Sequence, residues 1–120
     1  MNSEELMIGD WYTNSDGDIC KVVKNLGNVV WGQGDDVSDS TDDPNPIPLT
    51  TEILEKNGWK EAQYWQEYQD GRSTVHCCLP DMQGMINGVF IEHFQCEYVH
   101  QYQHLLRLCG LTDLADNFKV

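Results

Sequence analysis

Positive charge is scarce in this chain: 7 Lys and Arg stand against 20 Asp and Glu, a formal charge of −13 over 120 residues. A phosphate backbone is held by lysines and arginines that displace counterions, and no basic run exists here. Direct binding to nucleic acid or to an anionic membrane is therefore disfavoured. Equally absent are a basic start followed by an apolar stretch and any apolar run near the roughly 20 residues that cross a bilayer. The expectation is a cytoplasmic protein. CxxC pairs are missing, and the five cysteines (Cys20, Cys77, Cys78, Cys96, Cys109) form an odd set. In a reducing compartment these serve mostly as small core residues. Glycine-rich phosphate loops and the HExxH zinc signature are missing as well.

What is present argues for a folded chain. Hydrophobic residues make up 40% and aromatics 10%, with four tryptophans, enough apolar surface to offset chain entropy. The length suits one domain spanning 1–120. In its first third, "LMIGDWY", "ICKVV" and "VVWG" are β-rich runs separated by the turn sequences "SDGD" and "NLGN", which predicts a three-stranded meander. Asn14, Asp16 and Gly17 look superficially like a calcium loop. That register, however, puts Tyr12 where an acidic first ligand is needed and Val23 where a bidentate Glu is needed.

Composition shifts sharply at 33–48, "QGDDVSDSTDDPNPIP", with five aspartates and three prolines. Such a stretch buries little, so it is expected as a flexible acidic loop. Residues 1–43 hold 10 acids and 2 bases. Next, "PLTTEILEKNGW" carries its own helix signals. Thr50 is a natural N-cap, Leu49 and Leu54 are spaced as a hydrophobic staple, and Gly58 suits the left-handed position after the helix. Trp59 is placed to fold back on Leu54. A second meander is expected from "QYWQEYQ", "STVHCCL" and "NGVFIEHFQCE", with "DGR" and "PDMQG" as turns. In its last run Phe90, Phe94 and Cys96 would share one face and His93 the other.

The stretch "YVHQYQHLLRLCGL", 98–111, has helical periodicity. Val99, Tyr102, Leu105, Leu106 and Cys109 fall on one face; His100, Gln103, His104 and Arg107 fall on the other. The apolar face is core, and the polar face is expected to be solvated or to dock another macromolecule. Gln101 flanks the core and is expected to tie the helix to backbone groups of the meander. Two imidazoles at i and i+4 can share a metal, and His76, Cys77, Cys78, His93 and Cys96 are conceivable co-ligands. No Glu follows His100 to complete a protease signature, so no metal ligand is assigned. Cys77 or Cys78 beside a histidine is compatible with a thiol nucleophile, without a family signature to support it.

Three segments, "LMIGDWY" (6–12), "PIPLTTEILEKNGW" (46–59) and "YVHQYQHLLRLCGL" (98–111), cover 35 of 120 residues. Together they resemble a family of small proteins from gut Bacteroidetes, their phages and mobile elements. That family shows a Leu-x-Ile-Gly start, a Pro-Ile-Pro-Leu-Thr helix start and a Tyr-Val-His-Gln-Leu-Gln-Asn terminal helix. Tyr98, Val99, His100, Gln101 and Gln103 match the last pattern, while Tyr102 replaces its leucine and His104 its asparagine. The resemblance implies a small cytoplasmic protein, phage-borne or carried by a mobile element, and carries over no activity. A metal site depending on His104 would be peculiar to this chain.

These observations lead to an α+β fold. It has two small antiparallel three-stranded meanders, the first compatible with an SH3-like half-barrel, joined by a short helix, with a C-terminal helix packed on the sheet. The leading functional expectation is a noncatalytic acidic module that binds another protein. Its candidate surfaces are Asp35, Asp36, Asp39, Asp42 and Asp43 in the acidic segment, and His100, Gln101, Gln103, His104 and Arg107 on the terminal helix. One alternative is an acidic mimic of nucleic acid that blocks a DNA-binding protein. The other, least favoured, is a small metal-binding or thiol enzyme. No cofactor is implied.

Overall fold

The turns expected around Gly17 and Gly27 are where the first sheet reverses direction, with φ of 83° and 91° at the two glycines. A computed structural model describes residues 3–27, 29–34 and 38–120, and the chain divides into two units, Met1–Ile47 and Pro48–Val120. In the first, a 3-10 turn (Ser3–Glu5) precedes β1 (Trp11–Thr13), β2 (Ile19–Asn25), β3 (Val30–Gln33) and β4 (Ser38–Thr41), an antiparallel sheet in that order. Asn14 forms the first reversal: its Oδ1 accepts from the N–H groups of Asp16 and Asp18 at 3.0 and 2.9 Å, the side chain standing in for a backbone acceptor. Leu6, Tyr12, Cys20, Val22 and Val30 make the core of this unit.

Two details of the first unit differ from the sequence reading. Residues 7–10 form a turn in place of strand, because buried Asp10 accepts the Met7 N–H at 2.8 Å while its own N–H bonds the Met7 carbonyl at 3.0 Å. A buried carboxylate must be met by donors, and a turn supplies them. In the segment expected as a flexible loop, Ser38–Thr41 is strand β4, paired with β3 from Val30↔Thr41 to Gln33↔Ser38. Asn45 then bridges to Thr13, and Pro44 and Ile47 are buried. Ladder bonds are made by the backbone, so a polar, acidic sequence can pair at a sheet edge although it contributes little to a core. Asp35 and Asp36 lie outside the described residues.

The second unit contains α1 (Thr51–Lys56), β5 (Lys60–Glu61), β6 (Gln66–Asp70), β7 (Ser73–Cys78), β8 (Asp81–Ile86), β9 (Val89–Gln95), α2 (Val99–Leu108) and α3 (Thr112–Asp116). Its five strands are antiparallel neighbours in chain order. The expected caps of α1 are in place: Thr50 Oγ1 accepts from Ile53 N–H at 3.3 Å, Gly58 has φ 95°, and the Trp59 N–H returns to the Leu54 carbonyl at 3.2 Å. Leu49 and Leu54 are both buried.

The α+β class, the paired antiparallel meanders and a curled half-barrel sheet are present, with four and five strands in place of three and three. Four residues of the segment expected as the "PDMQG" turn, Asp81–Gly84, belong to β8, and Asp81, Met82 and Gly84 are paired on both sides. β9 carries an extra residue, since Met82↔Phe94 is followed by Gly84↔Ile91. This bulge breaks the alternation expected for the strand: Ile91 turns inward at 7% exposure and Phe90 is left 70% exposed. Gly84 and His93 take φ of 136° and 52° to accommodate it. At Gly84 no side chain fits, because a Cβ would collide with the Thr74 carbonyl oxygen. Among the described residues no helix is long and apolar enough to cross a membrane.

Candidate functional site

The terminal helix keeps its expected apolar face: Val99, Tyr102, Leu105, Leu106 and Cys109 are all buried. Its start is fixed by Gln101, whose Oε1 accepts the N–H groups of Glu97 and Tyr98 at 2.8 and 3.1 Å. The tie to backbone expected of this residue is therefore a capping bond to the two residues just before the helix. At the other end Gly110 turns at φ 81°, and the Leu111 N–H returns to the Leu106 carbonyl at 2.9 Å.

The polar face requires a correction. Gln103 has 0% exposure and donates from Nε2 to the Ala115 carbonyl at 3.0 Å, and Arg107 Nη2 pairs with Asp116 Oδ1 at 3.3 Å. His100 is 4% exposed, stacked on Tyr98 with centroids 6.0 Å apart and edge-on to His104 at 5.6 Å. Part of the face expected to be solvated or to dock another macromolecule, at Gln103 and Arg107, is met by the chain's own α3. Helical periodicity identifies a polar stripe but not what lies over it. The reversal at Gly110 lays α3 along the stripe, and a buried amide must then be hydrogen-bonded. Of the five helix residues, His104 and Arg107 stay partly exposed, and Gln101 is committed to the cap.

The remaining histidines and cysteines do not converge on this pair. His76 Nε2 lies 3.4 Å from Glu67 Oε1 with its ring against Trp65, and His93 Nδ1 shares a 3.1 Å hydrogen bond with Asp81. Among the described residues no group of three or more His, Cys, Asp or Glu is placed to hold a metal ion. Burial pushes the Cys77 and Cys96 thiols up to about 12, which disarms them as nucleophiles near neutral pH. At pH 8 iodoacetamide is expected to label exposed Cys78 in the folded protein. Cys77 and Cys96, with about one thiolate in 10⁴ at that pH, should react only after urea is added, as intact mass would show. The same shifts carry a pH dependence. The unfolded chain releases these protons near 9 and the folded chain only near 12. The stability these two thiols contribute is therefore fully present below about pH 9 and is lost as pH rises towards 12.

No family model, curated protein or solved structure matches this chain.

Among the described residues, the second unit has cavities of two sizes that bear on function. The larger, about 410 Å³, lies between the β6–β7 turn and the α2–α3 corner, with Asp70, Arg72, Asn87 and Asp113 in its wall. The smaller, about 280 Å³, is lined by the β5–β6 hairpin, the start of α1 and the end of β7. It holds Gln66, 7% exposed, whose Oε1 has no hydrogen-bond partner. Sequence reasoning passed over Gln66 and Glu61. Neither sits in a motif, and only the hairpin register Glu61↔Gln66 places them side by side.

Proposed function

We propose that this protein is a noncatalytic, acidic interaction module that binds a basic protein partner in the cytoplasm. On the resemblance of its three patterned segments, we place it in the small-protein family of gut Bacteroidetes, their phages and mobile elements. The observation that supports the binding reading is the acidic segment itself. Asp42 and Asp43 are exposed in the bend directly after β4, a strand held by backbone pairing. Charge presented from an ordered base attracts a basic surface with less ordering entropy to lose than a free loop. A second reading, an acidic mimic of nucleic acid, draws on the same ordered edge, because mimicry needs carboxylates at fixed positions. The raised Cys77 and Cys96 thiols weigh against a thiol enzyme.

Capture from a lysate of the source cell, using the unaltered chain and a variant with the five aspartates between 35 and 43 made Asn, tests the reading. A basic protein should be retained by the first, lost from the second, and eluted by salt. If duplex DNA competes for that protein, the mimic reading is the better one. Identical retention by both forms would remove the acidic segment from the interface and sink the proposal.

A further inference from the structure

The larger cavity is walled by three chain reversals that are tied to one another. The Asn87 N–H, in the β8–β9 turn, donates to Ser73 Oγ at 2.9 Å, and the Gly88 N–H donates to the Arg72 carbonyl of the β6–β7 turn at 3.0 Å. Asn87 Nδ2 then donates to the Cys109 carbonyl at 2.8 Å, which joins both turns to the α2–α3 corner. A space of about 410 Å³ with walls fixed in this way has the size of a small-molecule site.

The wall carries both signs of charge, on side chains that solvent reaches. Asp70, Arg72 and Asp113 are all exposed. Tyr68 donates its hydroxyl to Asp70 Oδ2 at 3.3 Å, so phenol and carboxylate line the cavity as a pair. Arg72 lies against the β8–β9 turn, because a Cβ on Gly88 would collide with its guanidinium. Among the described residues no carboxylate pairs with that guanidinium, whereas Arg107 is paired with Asp116. Half-buried Leu111, Leu114 and Tyr68 add apolar surface to the same wall. A simple anion would be repelled by the two aspartates, and a simple cation would leave Arg72 unmet. A ligand that carries one charge of each sign, with a hydrocarbon part, answers the whole wall.

We propose that this cavity binds a free α-amino acid with an apolar side chain. The Arg72 guanidinium takes its carboxylate through the planar fork that arginine offers. Asp70 and Asp113 take the ammonium group, and Tyr68, Leu111 and Leu114 pack on the side chain. The inference uses residues of the second unit alone and goes beyond the reading of the acidic segment as a docking surface.

The test is a titration of the full-length, nitrogen-15-labelled chain with L-leucine at neutral pH and constant ionic strength, followed by two-dimensional NMR. The Gly71, Gly110 and Leu114 amides and the Asn87 side-chain amide should shift together, with half-saturation on the order of 1 mM. N-acetyl-leucine lacks the ammonium charge and leucinamide lacks the carboxylate, so each should bind at least about tenfold more weakly. Arg72→Gln should weaken leucine binding about tenfold, and Asp113→Asn about fivefold. The buried Trp59 indole signal should stay in place in both variants, showing that the fold is kept. The derivatives test the same point on the unaltered chain, without any substitution. Unmoved cavity signals up to about 50 mM leucine, equal binding by either derivative, or unchanged binding by Arg72→Gln would overturn the inference.

Discussion

Trp59→Ala is expected to be the most damaging single substitution among those considered, lowering stability by about 3–5 kcal/mol in urea unfolding. Trp59 is 3% exposed, its ring lies 5.7 Å from Tyr68 of β6 and 6.0 Å from Tyr102 of α2, and its Nε1 donates to the Tyr102 hydroxyl at 3.1 Å. One side chain thus joins the exit of α1 to both the sheet and the terminal helix. Truncation leaves a cavity and also takes the donor from a deeply buried hydroxyl, which burial already holds well above the ordinary phenol range. The two contributions can be separated. Trp59→Phe keeps much of the packing and should cost about 1–2 kcal/mol, and Tyr102→Phe a similar amount, because each strands one polar partner. The double Phe variant removes both partners, so its cost should fall clearly below the sum. Strict additivity would show that the hydrogen bond contributes nothing measurable.

Gln103→Ala is expected to cost about 2–3 kcal/mol and to loosen α3 selectively. The variant loses the buried Nε2 donor to the Ala115 carbonyl and the volume of a side chain with 0% exposure. Hydrogen exchange should report it locally: the Ala115 and Asn117 amides, bonded to Leu111 and Asp113, should exchange faster relative to those of β7 and β8. Arg107→Ala provides the contrast. Its side chain is 11% exposed and that of its partner Asp116 48%, so solvent screens the pair from the Asp116 side and the loss should stay within about 1–2 kcal/mol. If Gln103→Ala left stability and exchange unchanged while abolishing capture of a partner, the residue would return to the role of a docking surface.

The contrast between α1 and α2 explains how far the sequence could be read. For α1 every signal was local: Thr50, Gly58 and the Leu49–Leu54 spacing each act within a few residues, and all three stand where the pattern placed them. For α2 the apolar arc was equally local and equally right. The fate of Gln103 depended on α3 folding back, a contact that no periodicity within 98–111 encodes. The strands show the same division. Alternation located β7 well, yet one inserted residue in β9 reversed the faces of Ile91 and Phe90, since side chains on a strand change sides at every step. The residues of the smaller cavity were invisible for a related reason, because Glu61 and Gln66 become neighbours only through strand pairing.

By itself, then, the sequence determined the acidic balance, the α+β class, the capped helix after residue 50 and the core face of the terminal helix. These follow from composition and short-range periodicity, which act over a few residues. The tertiary structure alone decided that part of the acidic segment is an edge strand, that Gln103 and Arg107 on the polar face of α2 are met by α3, and that the Gln66 carbonyl oxygen is buried without a donor. Each of those depends on register and on which distant segment lies across a surface, and a one-residue slip or a single reversal changes the answer without altering local propensity.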